Sequence, residues 1–206
     1  NWSWNWKPNP EGTAVSYVSA PLAKDTTVVG AGAVTVWARS AAPDADFVAT
    51  ISEVDASGHE TFVQNGYMRG SERKLATTSK TILGHPSTQL EPVPSFTSRD
   101  AQPMPQTTFT KVVIPLYYSG HTYRAGTRIR VTIAAPNGTQ PVWSFNEALP
   151  RKGTSQIWIA LSPTMPSSLV LPVVPGVTAA AQPACGSLRS QPCRTYVPLK
   201  NRTSAR

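Results

Sequence analysis

Hydrophobic and polar positions alternate with a period of two along much of this chain. The pattern is clearest over residues 33–39 (AVTVWAR), 128–134 (RIRVTIA) and 156–161 (QIWIAL). Successive side chains of an extended strand point to opposite faces, so these segments predict strands with one face buried. Five further runs share the character: residues 14–19, 47–54, 61–69, 111–116 and 168–174. About eight strands result, the number a two-sheet jelly roll uses. No segment shows the 3.6-residue period of an amphipathic helix, and an all-β, jelly-roll-like β-sandwich is expected.

Turn chemistry separates the runs. Asp55-Ala-Ser-Gly58, Arg124-Ala-Gly126 and Pro136-Asn-Gly138 supply the positive-φ residues that hairpins and tight turns need. Residues 77–106, rich in Pro, Ser and Thr, predict the long connection of a Greek-key topology. Residues 1–13 read as an N-terminal linker segment, 14–175 as the sandwich, and 176–206 as an extended tail lying on it.

Composition adds detail. A chain of 206 residues with 20 prolines and 13 glycines spread along it suits many short elements in one domain with its own core. Neither a membrane-spanning apolar run nor a signal sequence is visible, and the chain reads as a mature or excised piece. The two cysteines, Cys185 and Cys193, stand in a Pro/Gly/Ser-rich stretch with seven residues between them. That spacing fits a short disulfide loop better than a metal site, and points to a secreted or extracytoplasmic protein. The net charge of +8 is lopsided: residues 101–206 carry eleven Lys and Arg against the single acid Glu147. Arg128 and Arg130 alternate with Ile129 and Val131 as the solvent side of a strand would, so this charge reads as a solvated face. Nucleic acid is not expected as a partner, because no aromatic-interleaved basic stripe accompanies the charge.

Catalytic chemistry is hard to find. An α/β serine hydrolase needs its nucleophile on a Gly-x-Ser-x-Gly elbow, which is absent. His59, His85 and His121 fall in or beside predicted turns, where a solvated or capping role is commoner than a catalytic one. Ser71-Glu-Arg-Lys74 matches Ser-x-x-Lys without the companion motifs that chemistry requires. Asp44 and Asp46 lack the rest of a calcium ligand set and read as turn residues. No cofactor and no metal is expected. Trp2, Trp4 and Trp6 alternate with Asn1, Ser3 and Asn5, so an extended conformation would line up three indoles. They form either a sugar-stacking platform or, the favoured reading, a strip buried against a neighbouring domain.

Several motifs in order carry a resemblance. Residues 17–25 (YVSAPLAKD), 36–47 (VWARSAAPDADF), the Gly66-x-x-Arg69-x-x-x-Arg73 segment and Tyr123-Arg-Ala-Gly-Thr-Arg-Ile-Arg130 resemble the C-terminal domain of CocE/NonD and X-Pro dipeptidyl-peptidase type serine hydrolases. Residues 135–143 and 168–174 extend the likeness, which runs from about residue 14 to 175. The tail with its two cysteines resembles an extension of secreted members. The resemblance implies a non-catalytic jelly roll, related in architecture to galactose-binding-like domains, that stabilises an α/β-hydrolase domain of the same parent protein and shapes its cleft. No member of the family's triad can be carried onto these residues. Arg69 and Arg73 are the motif residues to inspect as interdomain or ligand contacts. Their structural alternative is pairing with Asp44 or Asp46. A stand-alone carbohydrate-binding module is the second reading.

Overall fold

The computed structural model describes residues 6–136 and 155–201. Eleven strands occur among them: β1 Ala14–Val18, β2 Thr26–Gly30, β3 Ala33–Ser40, β4 Asp46–Val54, β5 His59–Arg69, β6 Thr110–Pro115, β7 Ser119–Tyr123, β8 Arg128–Ala134, β9 Ile157–Ile159, β10 Ser168–Val170 and β11 Cys193–Thr195. Single 3-10 turns at Gly70–Glu72 and Ser98–Asp100 are the only helical pieces among the described residues. The turn expected at Asn137-Gly138, and the motif through Trp143, lie outside them.

The strands form an antiparallel sandwich. One sheet has the order β1-β8-β4-β5-β11, and the facing sheet has β10-β3-β6 with β9 also paired to β3. A two-stranded ribbon, β2-β7, stands beside them. The period-two pattern explains the core. Val34, Val36 and Ala38 of β3, Phe47, Ala49 and Ile51 of β4, and Val112 and Ile114 of β6 all point inward and are buried. Where β4 meets β5 the register slips between Ile51 and Ser52. The bulge gives β5 one extra residue, Val63, which joins the core.

All eight expected strands are present, with adjusted ends, and three more were not expected. β2 and β7 contain glycine, threonine and histidine where a half-buried strand would alternate, and β11 is three residues long in the proline-rich tail. The run expected over 168–174 divides at Pro172. Residues 168–170 pair with β3, whereas the Pro172 carbonyl and the Val174 amide bond to β2. A proline has no N–H for the ladder, so a sheet change there costs least.

Two glycines are required by this packing. Gly32, at φ +97°, adopts a backbone conformation that L side chains avoid. Gly66 lies where β5 crosses beneath the end of β6, and a Cβ there would occupy the space of the Pro115 carbonyl.

The charged outer face departs from expectation. Arg128 is exposed, but Arg130 is 1% exposed, so the solvated-face reading fails for it. β8 lies between β1 and β4, and the outer face of its sheet is crossed by chain from both ends. The tail adds β11 to the edge of β5. Further on, the Asn201 side chain accepts from the Ser16 amide at 2.8 Å and donates to its carbonyl at 2.9 Å.

Replacing Gly66 by alanine is expected to destabilise the chain by more than about 3 kcal/mol, because backbone rather than a flexible side chain must give way. Urea unfolding of the two chains measures this, and a loss below about 1 kcal/mol would contradict the crossing geometry.

Candidate functional site

The polar side chains form three clusters, and each reveals what the domain can do. The first lies on the outer face of the large sheet. Glu60 of β5 is 1% exposed and accepts from the Ser52 hydroxyl at 2.7 Å, the Arg130 guanidinium at 3.0 Å and the Arg194 guanidinium at 2.9–3.0 Å. Arg130 also donates to the Ser16 hydroxyl. Two cations therefore share one buried anion. The remaining positive charge faces aromatic rings: Arg194 lies 3.7 Å from the ring centre of Trp6, and Arg130 lies 5.0 Å from that of Tyr196. Burial pulls the Arg194 pKa down, and Glu60 opposes that shift. Trp6 also meets Phe62 edge-on at 5.7 Å. One face of this indole is thus taken by a guanidinium of its own chain; Trp2 and Trp4 lie outside the described residues.

A second cluster sits at the far end of β4 and β5. Arg69 holds Asp46 through two parallel bonds of 2.8 and 3.1 Å, the bidentate geometry guanidinium and carboxylate favour. Asp44 instead accepts from the amide and hydroxyl of Ser71, and Arg73 donates to the carbonyls of Gly70 and Gln102. The pairing expected of the two arginines with Asp44 or Asp46 occurs for Arg69. The aspartates turn to different partners, and no group of three metal-ligating side chains occurs among the described residues.

The third cluster surrounds Glu53. His121 was expected in or beside a turn or loop; it stands on β7, its side chain 8% exposed, with its Nε2 2.8 Å from the Glu53 carboxylate. The Arg124 amide and the Thr127 hydroxyl also donate to Glu53, each at 2.8 Å. Burial alone would raise the Glu53 pKa, yet the hydrogen bonds from His121, Arg124 and Thr127 outweigh it and leave the carboxyl below its usual value. The other two histidines also pair with acids, His59 with Asp55 and His85 with Glu91. None of the three bonds a serine, threonine or cysteine side chain among the described residues. These are histidine–acid pairs without a nucleophile, so they hold structure and assemble no triad.

Sequence reasoning missed Glu60, Arg130, Arg194, Glu53 and His121 as an organised set. Nothing local marks them, since their pairings span 68 to 134 residues of chain. The cysteines meet expectation directly: Cys185 and Cys193 are joined by a disulfide. It anchors the start of β11, two residues from Thr195 at its end.

The X-Pro dipeptidyl-peptidase C-terminal non-catalytic domain family matches residues 3–170. The chain belongs to this family. Its members' description as non-catalytic agrees with histidines that lack a nucleophile. Among curated relatives, a Mycobacterium bovis protein named as a serine esterase is 27% identical over 125 residues, 61% of this chain. A Mycobacterium tuberculosis counterpart of the same name matches equally. The chain spans about a fifth of those relatives, 19% of their length. In fold it is similar to a CocE/NonD family hydrolase from Staphylococcus aureus, with TM-score 0.61 and 22% identity over 78% of this chain and 30% of that one. It is also similar to an α-amino acid ester hydrolase, with TM-score 0.56 and 20% identity over 79% and 26% of the respective chains.

The lowered Glu53 pKa has a defined consequence. A carboxylate whose folded pKa is below its unfolded value of 4.5 contributes stability that is complete above about pH 4.5 and lost as pH falls toward the folded value. Glu53→Gln is expected to lower stability at pH 7 by about 2 kcal/mol and to flatten the decline of melting temperature below pH 4.5. Parallel acid limbs in the two chains would contradict this.

Proposed function

We propose that this chain serves as the C-terminal, non-catalytic domain of a secreted serine hydrolase acting on esters, amides or X-Pro peptides. In this reading the Ser-His-Asp triad lies on an α/β-hydrolase domain of the same parent protein. The sandwich packs on that domain, stabilises it and shapes its substrate cleft. The observation that carries the reading is the family match over residues 3–170 on a fold whose described histidines each pair with a carboxylate. The length relation supports it, since the matched relatives extend well beyond this domain. The disulfide supports an oxidising compartment, and no helix among the described residues is long and apolar enough to cross a membrane.

We assign the contact with the hydrolase domain to the apolar surface around the β6–β7 turn. Tyr118 is 66% exposed there and Tyr117 44%, and the Tyr67 ring stands 5.9 Å from that of Tyr117. Leu90 joins them through Gly32, whose amide bonds the Leu90 carbonyl while its carbonyl accepts from Leu116. Ile82 and Phe96 add exposed apolar area on the same long connection, and Phe96 is held at φ +47°, a strain usually retained at functional surfaces. Exposed apolar patches of this kind mark contact sites. Trp6, Arg69 and Arg73 are less suited to the contact, because each is engaged within the domain. The carbohydrate-module reading loses support for the same reason, with one Trp6 face occupied by Arg194.

A fluorophosphonate serine probe is expected to label the parent protein and leave this chain unlabelled. Tyr118→Glu is expected to lower the parent's melting temperature by several degrees while changing the stability of this chain by no more than about 0.5 kcal/mol. Labelling of the chain itself would overturn the non-catalytic reading. An unaffected parent would overturn the assigned surface.

A further inference from the structure

The tail closes both edges of the large sheet. At one edge β11 pairs with β5. At the other, β1 ends the sheet, and no described strand pairs with its outer side. There the Asn201 side chain meets Ser16, accepting from its amide at 2.8 Å and donating to its carbonyl at 2.9 Å. Opposed residues of antiparallel strands exchange the same two bonds. One side-chain amide thus takes the place of a neighbouring strand at the centre of β1.

The crossing from edge to edge has little slack. Four strand spacings separate β11 from β1, about 19 Å. Thr195 ends β11, and the six residues from there to Asn201 reach only about 20 Å when fully extended. Residues 196–200 accordingly contain no turn. Both ends of the crossing also join the Glu60 network: Arg194 bonds Glu60 directly, and the Ser16 hydroxyl accepts from Arg130.

The sequence of β1 supplies no protection of its own. Edge strands resist pairing with other chains when they are short or carry lysine or proline. In the two facing sheets, β9, β10 and β11 have three residues each, and β6 carries Lys111 and Pro115. β1 is Ala-Val-Ser-Tyr-Val, five uncharged residues without proline. The backbone groups of Ser16 point away from β8, so by the period of two those of Ala14 and Val18 do as well. A second β1 laid antiparallel about Ser16 fits this row, with Ala14 opposite Val18 and Ser16 opposite its own counterpart. The strand is its own complement.

We propose that Asn201 is a surrogate strand residue that keeps β1 from pairing with β1 of a second copy of this chain, so that the tail holds the domain monomeric at that edge. This role does not rest on the contact assigned to Tyr118.

Sedimentation equilibrium of the 206-residue chain and of its Asn201→Ala form tests the proposal. Asn201→Ala frees the N–H and C=O of Ser16 in each copy and is expected to dimerise at least about tenfold more tightly than the unsubstituted chain. Adding Val18→Pro, which removes an outward N–H from β1 and spares the bonds to β8, is expected to reverse that gain. Hydrogen exchange gives a second readout. The Ser16 amide is expected to be protected in the unsubstituted chain at every concentration, and in Asn201→Ala only where the dimer forms. Should Asn201→Ala fail to fold, Asn201→Asp takes its place. It still accepts from the Ser16 amide but cannot donate to the carbonyl, and is expected to show a smaller gain that Val18→Pro again reverses. Association unchanged in the variant that folds, or a gain that survives Val18→Pro, would overturn the proposal.

Discussion

Glu60 is the constraint on which the outer half of this molecule depends. A carboxylate buried on a sheet face would be costly alone, and here its charge is met by Arg130 from a central strand and Arg194 from the tail strand. Removing one partner of such a group leaves an uncompensated buried charge, which typically costs about 3–5 kcal/mol. The tail is therefore part of the fold: without Arg194 and the cover given by Tyr196, the polar face of the large sheet would lose its match. The disulfide at the start of β11 narrows the unfolded freedom of the segment that delivers Arg194. Trp6 completes the arrangement from the other end of the chain, stacking on the guanidinium that Glu60 leaves only partly neutralised.

The same logic of edges shapes the other sheet. A sandwich must finish its edge strands without exposing long unpaired ladders. β3 does so by accepting two short strands along one side, and prolines at 163, 166 and 172 govern where pairing stops and where the chain changes partner. That economy leaves space between the sheets, floored by valine and isoleucine. Core and cavity are thus products of one register: the inward residues of β3 and β8 that fill the core near the centre become the cavity floor toward its side.

The functional character follows from where the reactive side chains are engaged. Each described histidine is paired with an acid, and Arg69 and Arg73 are tied to Asp46 and to nearby carbonyls. Among the exposed aromatic side chains are Tyr117 and Tyr118 at the β6–β7 turn. These engagements agree with the non-catalytic description of its family.

Period-two alternation by itself determined the all-β class, the eight principal strands and the inward faces of β3, β4 and β8, because a strand's side chains must alternate whatever surrounds it. The spacing of Cys185 and Cys193 in a loop-rich stretch likewise foretold their local bond. Arg128 and Arg130 mark the limit of that reasoning. They occupy equivalent positions in the same alternation, yet one is exposed and the other buried. Alternation assigns a residue to a face, but what covers that face is decided by chain arriving from far away. Here the tail strand, Tyr196, Asn201 and Trp6 cover the face opposite the core, and β2, β7 and β11 exist only because partners distant in sequence supply their hydrogen bonds. Those pairings depend on three-dimensional proximity between residues up to 188 positions apart, which no local pattern encodes.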